Sequence, residues 1–156
     1  HLVYNLQTLF ERVRSFAFVG DLVEISAYFD RLGIDEAIAA VFDGSLLDTE
    51  VDSNYGRALE RFHNRYLAAV TPQTTVIVLG DGRGNRNPPQ VWALEAIRRR
   101  AKRLLWLSPE SRGSWRMGGC DMPLYEPVCH QTEVVRNLRQ LGQVTESLLR
   151  HSVVRP

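Results

Sequence analysis

The chain has 156 residues, of which 44% are hydrophobic and 24% charged, with a formal net charge of +1. This length predicts a single domain with its own core, and the near-zero charge excludes a general attraction to nucleic acid or to an anionic membrane. No apolar run approaches the roughly 18 residues of a membrane span, and we expect no signal peptide. Cys120 and Cys129 form neither a disulfide framework nor a metal-finger spacing, so we expect a reducing, cytoplasmic compartment.

The first quarter of the chain predicts a helix and then a β-hairpin. Apolar residues recur at helical spacing from the start, yet no capping residue precedes them, so we expect an N-terminally incomplete domain. Residues 13–20 and 21–26 predict two strands joined by a Gly-Asp turn. Residues 34–42 have helical composition, with Asp35 as their cap, and a loop follows at residues 46–53. The helical spacing at the start is carried by Leu2, Leu6, Leu9 and Val13.

Helices and strands alternate in the middle of the chain. Residues 54–70 predict an amphipathic helix, and residues 74–80 predict a buried strand. Pro88 and Pro89 suit the first turn of the next helix, which leads to a basic run at residues 98–103. We interpret that run as a solvated helix end rather than a nucleic-acid patch, because cations are favourable at the end of a helix. The apolar stripe of the first helix consists of Tyr55, Leu59, Phe62 and Tyr66.

The last third of the chain continues this alternation. Residues 103–110 predict another apolar strand, and a loop rich in Gly, Pro and Arg continues to about residue 129. The last helix is predicted from Thr132, its cap, to Leu149, with an apolar stripe of Val134, Leu138, Leu141 and Leu148. The alternation of strands and helices predicts an α/β layer fold with a mainly parallel sheet.

The stretch TTVIVLGDGRGNRNPP, residues 74–89, ends a predicted strand on one acid between two glycines. Ligands of such sheets bind beyond the carboxyl ends of the strands, where Asp81 is expected, and Gly80 and Gly82 permit a close approach. One carboxylate with hydroxyl and water ligands suits Mg²⁺, and Ser53 offers a hydroxyl at the start of the preceding helix. The same residues also have a purely structural interpretation, in which Ser53 is an N-cap and Asp81 a turn former.

Other site motifs are missing from the sequence. The glycine-rich stretch is neither a phosphate-binding loop nor a dinucleotide fingerprint, since no Lys-Ser/Thr follows the glycines. There is no Gly-x-Ser-x-Gly nucleophile motif, and no acid–base pair is evident. The histidines show no metal-ligand spacing and are interpreted as surface or hydrogen-bonded residues; they are His1, His63, His130 and His151.

Four longer stretches carry a family resemblance. They are SNYGRALERF, TTVIVLGDGRGNRNPP, AKRLLWLSPESRGSW and GGCDMPLYEPVCHQTEVVRNLRQL. Together they resemble the von Willebrand factor type A (VWA) domain, in the bacterial branch akin to the CoxE accessory proteins of carbon monoxide dehydrogenase. The resemblance covers residues 10–141. It implies a Rossmann-like three-layer α/β sandwich, with helices on both faces of the central sheet and one antiparallel edge hairpin.

The resemblance also implies a metal-ion-dependent adhesion site (MIDAS) built from three loops. By position, Ser53 stands where the family has a Thr, and Asp81 supplies the carboxylate of the third loop. The Asp-x-Ser-x-Ser of the first loop occurs nowhere in the 156 residues, so we expect the first strand and first metal loop to be missing and Mg²⁺ binding by this chain alone to be weak or absent. Residues that flank the two oxygens are candidates for contact with a partner: Asp21, Asn54, Gly82, Arg83 and Asn85.

In the family's strand order, the missing strand lies between residues 13–19 and residues 74–80. We expect a segment upstream of residue 1 to supply it, because the gap would otherwise leave buried backbone groups unpaired at about 1–3 kcal/mol each. Direct pairing of the two flanking strands would instead indicate a complete, shortened sheet.

Finally, the resemblance implies a role. Such proteins are often encoded with MoxR-type AAA+ ATPases and act as adaptors in metal-centre assembly or protein remodelling. We therefore expect a non-enzymatic protein-binding module, with an AAA+ ATPase and a metalloenzyme client as partners and neither nucleic acid nor membrane. One alternative is a small Mg²⁺-dependent phosphotransferase or hydrolase using Asp81, which would need a second acid or a base within reach of the substrate. Another is a structural interaction domain with a degenerate metal site.

Overall fold

A computed structural model describes residues 12–32, 36, 39–40 and 52–153 of the chain. Its strands form two sheets: an antiparallel hairpin of β1 (Phe16–Phe18) and β2 (Leu22–Glu24), and a parallel sheet of β3 (Thr75–Leu79), β4 (Arg103–Ser108) and β5 (Gln131–Val134) in that order. Its helices are α1 (Ser26–Arg31), α2 (Tyr55–Tyr66), α3 (Val91–Arg100), α4 (Met122–Tyr125) and α5 (Leu138–Val153). The predicted α/β class, with a parallel sheet and an antiparallel hairpin, is confirmed.

The core lies around β4, the middle strand of the parallel sheet. Leu104 and Trp106 point to one side, where they meet α2 and α3, while Leu105 and Leu107 on the other side are also buried. A strand with both faces covered appears in the sequence as a continuous apolar run, here residues 104–107, which is why the strand predicted at residues 103–110 was recognisable. Trp106 stacks on Tyr125, with ring centroids 4.8 Å apart and planes 14° apart.

The hairpin packs on α2 through aromatic side chains. Phe16 meets Phe62 edge-on at 5.3 Å between ring centroids, and Phe18 meets Tyr55 at 4.8 Å. The backbone N–H of Asn54 also donates to the carbonyl of Val19 at 2.9 Å. The turn of the hairpin is therefore held beside the first residues of α2.

The two sheets do not share a hydrogen-bond ladder within the described residues. There β3 pairs with β4 and β1 pairs with β2, so the strand containing Val76 is not joined to the strand containing Phe16. The shortened sheet that direct pairing would have indicated is thus not observed. The expectation that a further strand lies between them stays a prediction.

The prediction of a single helix over residues 132–149 is wrong at its start. Residues Gln131–Val134 form β5, and Thr132 is buried in that strand instead of capping a helix. Pairing with β4 favours β-branched side chains here, which overrides the helical spacing of Val134. The helix begins at Leu138, where the side chain of Asn137 accepts the backbone N–H of Gln140 at 3.0 Å.

The starts of two other helices also differ from the prediction, and one helix was not predicted. Asn54 and not Ser53 caps α2, since its Oδ1 accepts the N–H of Arg57 at 2.9 Å. Pro88 and Pro89 precede α3 and are not in its first turn, because Gln90 between them and the helix is left-handed, with φ 48°. Helix α1 was not predicted; it begins at Ser26, the last residue assigned to the second strand, and continues to Arg31. The predicted helix at residues 2–9 lies outside the described residues, as does most of residues 34–51.

Candidate functional site

The ten residues after β3, here called the Asp81 loop (residues 80–89), leave the sheet at its carboxyl edge. Three buried aromatic residues hold this loop through their polar tips. Trp106 Nε1 donates to the carbonyl of Gly80 at 2.9 Å, and Tyr125 Oη donates to the carbonyl of Pro89 at 2.8 Å. Tyr55 Oη donates to Asp81 Oδ1 at 3.1 Å. The loop is therefore fixed to the core at both ends.

The carboxylate of Asp81 is half-buried, and its two oxygens differ. Oδ1 accepts from Tyr55 Oη and from the backbone N–H of Arg83 at 2.9 Å, so the residue does close a turn. Oδ2 makes no hydrogen bond with any described residue. One oxygen thus sets the orientation of the carboxylate, and the other remains open to a ligand.

Tyr55 acts as a donor at this site. Burial raises the pKa of its phenol, and the nearby charge of Asp81 raises it further, against the opposing effect of the Gly82 backbone N–H. The phenol therefore stays protonated at neutral pH. A group so protonated can hold the carboxylate but cannot serve as a general base.

Arg83 ties the Asp81 loop to the segment after β4. Its Nε and Nη2 form a two-point ion pair with Glu110, at 2.9 and 2.8 Å, and Nη1 donates to the carbonyls of Met117 and Gly118 at 3.3 and 3.0 Å. This planar, bidentate geometry is specific to Arg. The guanidinium thus makes several intramolecular contacts, and its role in contacting a partner stays a prediction.

A second connection joins the same segments. Arg83 and Cys120 form an isolated antiparallel bridge, and the backbone N–H of Asp121 donates to the carbonyl of Gly82 at 2.8 Å. Cys120 Sγ donates to the carbonyl of Asp81 at 3.4 Å. Cys120 and Cys129 are both free thiols.

The carboxyl of Asp121 lies against the backbone of Gly84. A Cβ on Gly84 would lie only 2.0 Å from Asp121 Oδ2, and that oxygen is buried without a hydrogen-bond partner among the described residues. Burial raises the pKa of Asp121, and the nearby Gly84 N–H opposes this shift without cancelling it. The site therefore contains a second carboxyl group that sequence reasoning had not singled out.

The structure brings the other predicted site residues to the same edge. Asn85 Nδ2 donates to the backbone carbonyl of Ser53 at 2.9 Å, which joins the Asp81 loop to the start of α2. Asp21, in the hairpin turn, forms a 3.2 Å ion pair with Arg61 on α2. Gly82 is buried, and its left-handed backbone, with φ 74°, packs against Met122, so it shapes the loop from within.

The oxygens available for a metal ion are few but of a suitable kind. Ser53 Oγ and Asp81 Oδ2 have no hydrogen-bond partner within the described part of the chain, and both are the hard oxygen donors that Mg²⁺ prefers. Among the same residues, no group of three or more His, Cys, Asp or Glu side chains converges on a possible metal position. The donor chemistry therefore fits a hydrated Mg²⁺, whereas the number of donors predicts weak binding.

Several residues of this edge were missed at the sequence level. Tyr55 was assigned to the apolar stripe of α2, and its spacing gave no sign of the bond to Asp81. Glu110 and Asp121 lie far from Asp81 along the chain, and only the folding of the β4–β5 connection brings them near. Neither His63 nor His130 joins the site: His63 packs edge-on against Trp92, and His130 Nδ1 accepts the N–H of Leu104.

The parallel sheet, its helices and the separate antiparallel hairpin define an α/β domain. The chain belongs to the family of VWA domain containing CoxE-like proteins, whose family model matches residues 1–144. VWA domains are generally non-catalytic modules that mediate protein interactions. No curated protein and no solved structure gave a significant match. Among the residues that the structure describes, no helix combines the length and the apolar character needed to cross a membrane.

Proposed function

We propose that this chain is a protein-binding module that contacts its partner through the edge formed by the Asp81 loop and the start of α2. The partner is a MoxR-type AAA+ ATPase, and the pair acts on a metalloenzyme client during its maturation or remodelling. The observation that supports the proposal most strongly is the different environment of the two carboxylate oxygens of Asp81. One carboxylate oxygen is fixed by the core, and the other is open at the carboxyl edge of the sheet.

The chemistry of the edge favours binding over catalysis. Tyr55 stays protonated, and Arg83 is bound to Glu110. An enzyme that used Asp81 would need a further acid or base near the substrate. The second carboxyl group at this edge, that of Asp121, has its Oδ2 buried against the backbone of Gly84 and so is not presented to a substrate. These features support a module that presents a carboxylate and does not transform a substrate.

Mg²⁺ fits this role as a bridge. Asp81 Oδ2 and Ser53 Oγ would hold it, and the bound ion would offer an open coordination position to a carboxylate of the partner. Tyr55 would contribute by holding Asp81 in the orientation that leaves Oδ2 exposed. The partner's own carboxylate would then complete a site that is too sparse by itself.

We predict weak Mg²⁺ binding by the isolated chain. Affinity follows the number and charge of the ligands, and two protein oxygens hold a hydrated ion poorly. Isothermal titration calorimetry should show no binding at micromolar Mg²⁺. Micromolar affinity that disappears in Asp81→Ala would show that further ligands exist, and the ligand count would then be wrong.

The proposed function is tested by the affinity of the purified chain for the MoxR-type ATPase. Binding is measured by biolayer interferometry in Mg²⁺ and in EDTA, with Asp81→Ala as the variant and Asp30→Ala as the matched control. Asp30 is an exposed acid of α1, so its loss changes the charge equally. We expect affinity in Mg²⁺ that falls at least tenfold in EDTA and in Asp81→Ala, because the metal bridge is then lost. Equal losses in the two variants would refute a specific role for Asp81.

A second candidate is an interaction domain whose metal site is degenerate. The small number of oxygen donors at the edge favours it. It predicts ATPase binding that survives both EDTA and Asp81→Ala. The same binding experiment therefore separates the two candidates.

A further inference from the structure

A polar groove lies along α2, next to the Asp81 loop. Its cavity volume is about 450 Å³. Three arginines of α2 lie along it, accompanied by one acid and three side-chain amides. The lining residues are Asn54, Arg57, Glu60, Arg61, Asn64, Arg65, Pro88 and Gln90.

The arginines follow one another at intervals of four residues. Arg57, Arg61 and Arg65 therefore lie on one side of the helix, with a rise of about 6 Å between successive arginines. Arg57 and Arg65 form no ion pair within the described part of the chain. Their charges remain available at the surface, concentrated in a concave site.

One arginine of the groove is already paired with a carboxylate, that of Asp21 in the hairpin turn, which does not itself line the groove. Arg61 Nε lies 3.2 Å from Asp21 Oδ1, and the two side chains are 34% and 43% exposed. An ion pair this exposed is weak, so a carboxylate from another molecule can compete with it. The internal contact shows that the arginine row accepts carboxylates, and it leaves the positions on either side open.

We propose that this groove binds an acidic segment of a partner protein in an extended conformation. In an extended chain, alternate side chains lie on one face and are about 6.7 Å apart. This spacing matches the rise of about 6 Å between the arginines, so acids at every second position can meet successive arginines. The oxygens of Asn54, Asn64 and Gln90 already accept hydrogen bonds from neighbouring residues, and their amide N–H groups supply donors for the carbonyls of the peptide backbone.

The composition of the groove favours a peptide over a nucleic acid. Glu60 lies among the arginines and makes no ion pair with any described residue. A continuous phosphate backbone would place negative charge against it, which costs free energy. A peptide can instead offer Glu60 a backbone N–H or a basic side chain.

This inference rests on the proposed function and extends it. Asn54 lines the groove and directly follows Ser53, so the groove begins where the edge around Asp81 ends. One partner could therefore contact both surfaces. The groove contacts do not involve a metal ion, whereas the proposed Asp81 contact does.

The test uses the whole chain and the fluorescein-labelled peptide Glu-Thr-Glu-Thr-Glu-Thr-Glu, with binding measured by fluorescence anisotropy in EDTA at low salt. We expect saturable binding that weakens as salt is raised. A peptide of the same composition with its four glutamates contiguous should bind more weakly, because it places fewer carboxylates on one face. The double variant Arg57→Ala/Arg65→Ala should lose on the order of tenfold in affinity.

Two matched controls separate the groove from general surface charge. Arg98→Ala/Arg99→Ala removes the same charge from the end of α3, outside the groove, and should leave the affinity unchanged. Asp21→Asn frees Arg61 and should strengthen peptide binding by about threefold. Asp30→Asn, which changes the charge equally but has no part in the groove, should not.

Equal losses in the two arginine double variants would overturn the groove as a specific site. Tighter binding of a single-stranded oligonucleotide that competes with the peptide would overturn the assignment to a peptide. If the ATPase binds in Mg²⁺ but the peptide does not bind in EDTA, the groove inference fails and the proposed function stands. If the peptide binds but the ATPase does not, the proposed function fails and the groove remains a binding site for acidic segments.

Discussion

At the residue scale, Asp81 shows how one side chain can close a turn and still be available to a ligand. Its Oδ1 accepts the N–H of Arg83, as a turn former does, and the phenol of Tyr55. The structural and functional interpretations of this acid are therefore compatible. The positions on either side of Asp81 leave no room for a side chain. Gly82 packs against Met122, and a Cβ on Gly80 would lie 1.9 Å from Tyr55 Oη.

Replacing Gly56 by Ala is expected to change the stability of the fold in the opposite direction to the usual effect of this substitution in a helix. Replacing a helical Gly by Ala ordinarily stabilises a protein by roughly 0.5–1 kcal/mol. In α2, however, a Cβ on Gly56 would lie 1.9 Å from the backbone carbonyl of Pro88, which cannot move without shifting the Asp81 loop. We expect Gly56→Ala to destabilise the fold by about 1–3 kcal/mol, measured by urea denaturation.

Gly142 in α5 is the matched control for this substitution. A Cβ there would meet no atom within 4 Å, so Gly142→Ala should show the ordinary stabilisation. If both variants were stabilised, the close packing of α2 on Pro88 would be refuted.

Asp121 predicts a pH dependence of stability. Burial raises its pKa in the folded state above the value of about 3.9 that is usual for an unfolded chain. As the pH rises from below that value, the unfolded state releases this proton first, so Asp121 lowers the free energy of unfolding. Asn does not titrate. We therefore expect the stability of Asp121→Asn, relative to the unmodified chain, to increase from pH 3.5 to pH 6 in urea titrations; a constant or decreasing difference would contradict the burial of this carboxyl.

At the scale of elements, the strands with apolar side chains were predicted well from the sequence, whereas the strand with polar side chains was missed. Strands β3 and β4 were recognisable because their side chains are almost all apolar or β-branched. Strand β5 was missed because Gln131 and Glu133 interrupt its pattern, and Thr132 resembled a helix cap. Its identity depends on pairing with β4, which no local pattern contains.

The candidate site was predictable only in part, for the same reason. Asp81 and Ser53 follow from their positions at the ends of predicted elements. Contacts such as that of Arg83 with Glu110 arise from the folding of the β4–β5 connection and leave no local signal. The arginine row of α2 did have a signal, the spacing of Arg57, Arg61 and Arg65, but only the structure shows that the row lines a groove.

The start of α2 offers a prediction about its cap. The side chain of Asn54 accepts the N–H of Arg57, whereas the hydroxyl of Ser53 takes no part in the helix. Asn54→Ala should therefore lower the free energy of unfolding by about 1 kcal/mol, and Ser53→Ala should change it by less than about 0.5 kcal/mol. Chemical denaturation of the two variants side by side measures the difference. A larger loss for Ser53→Ala would show that the cap has been assigned to the wrong residue.

At the scale of the whole molecule, the binding features gather on one side. The Asp81 loop, the start of α2 and the hairpin turn meet at the carboxyl edge, linked by Asn85 to Ser53 and by Asn54 to Val19. The arginine groove continues from that edge along α2. The basic run at the end of α3 does not line the groove. A family of interaction modules is expected to use such a continuous polar surface for its partner.

Hydrogen–deuterium exchange of the complex reveals directly whether the partner binds at this edge. The chain is labelled alone and with the MoxR-type ATPase, both in Mg²⁺. Slower exchange is expected in peptides that cover the Asp81 loop and residues 52–57, while peptides that cover residues 98–103 exchange as in the free chain. Protection confined to residues 98–103, with the Asp81 loop unchanged in a saturated complex, would show that the partner binds elsewhere.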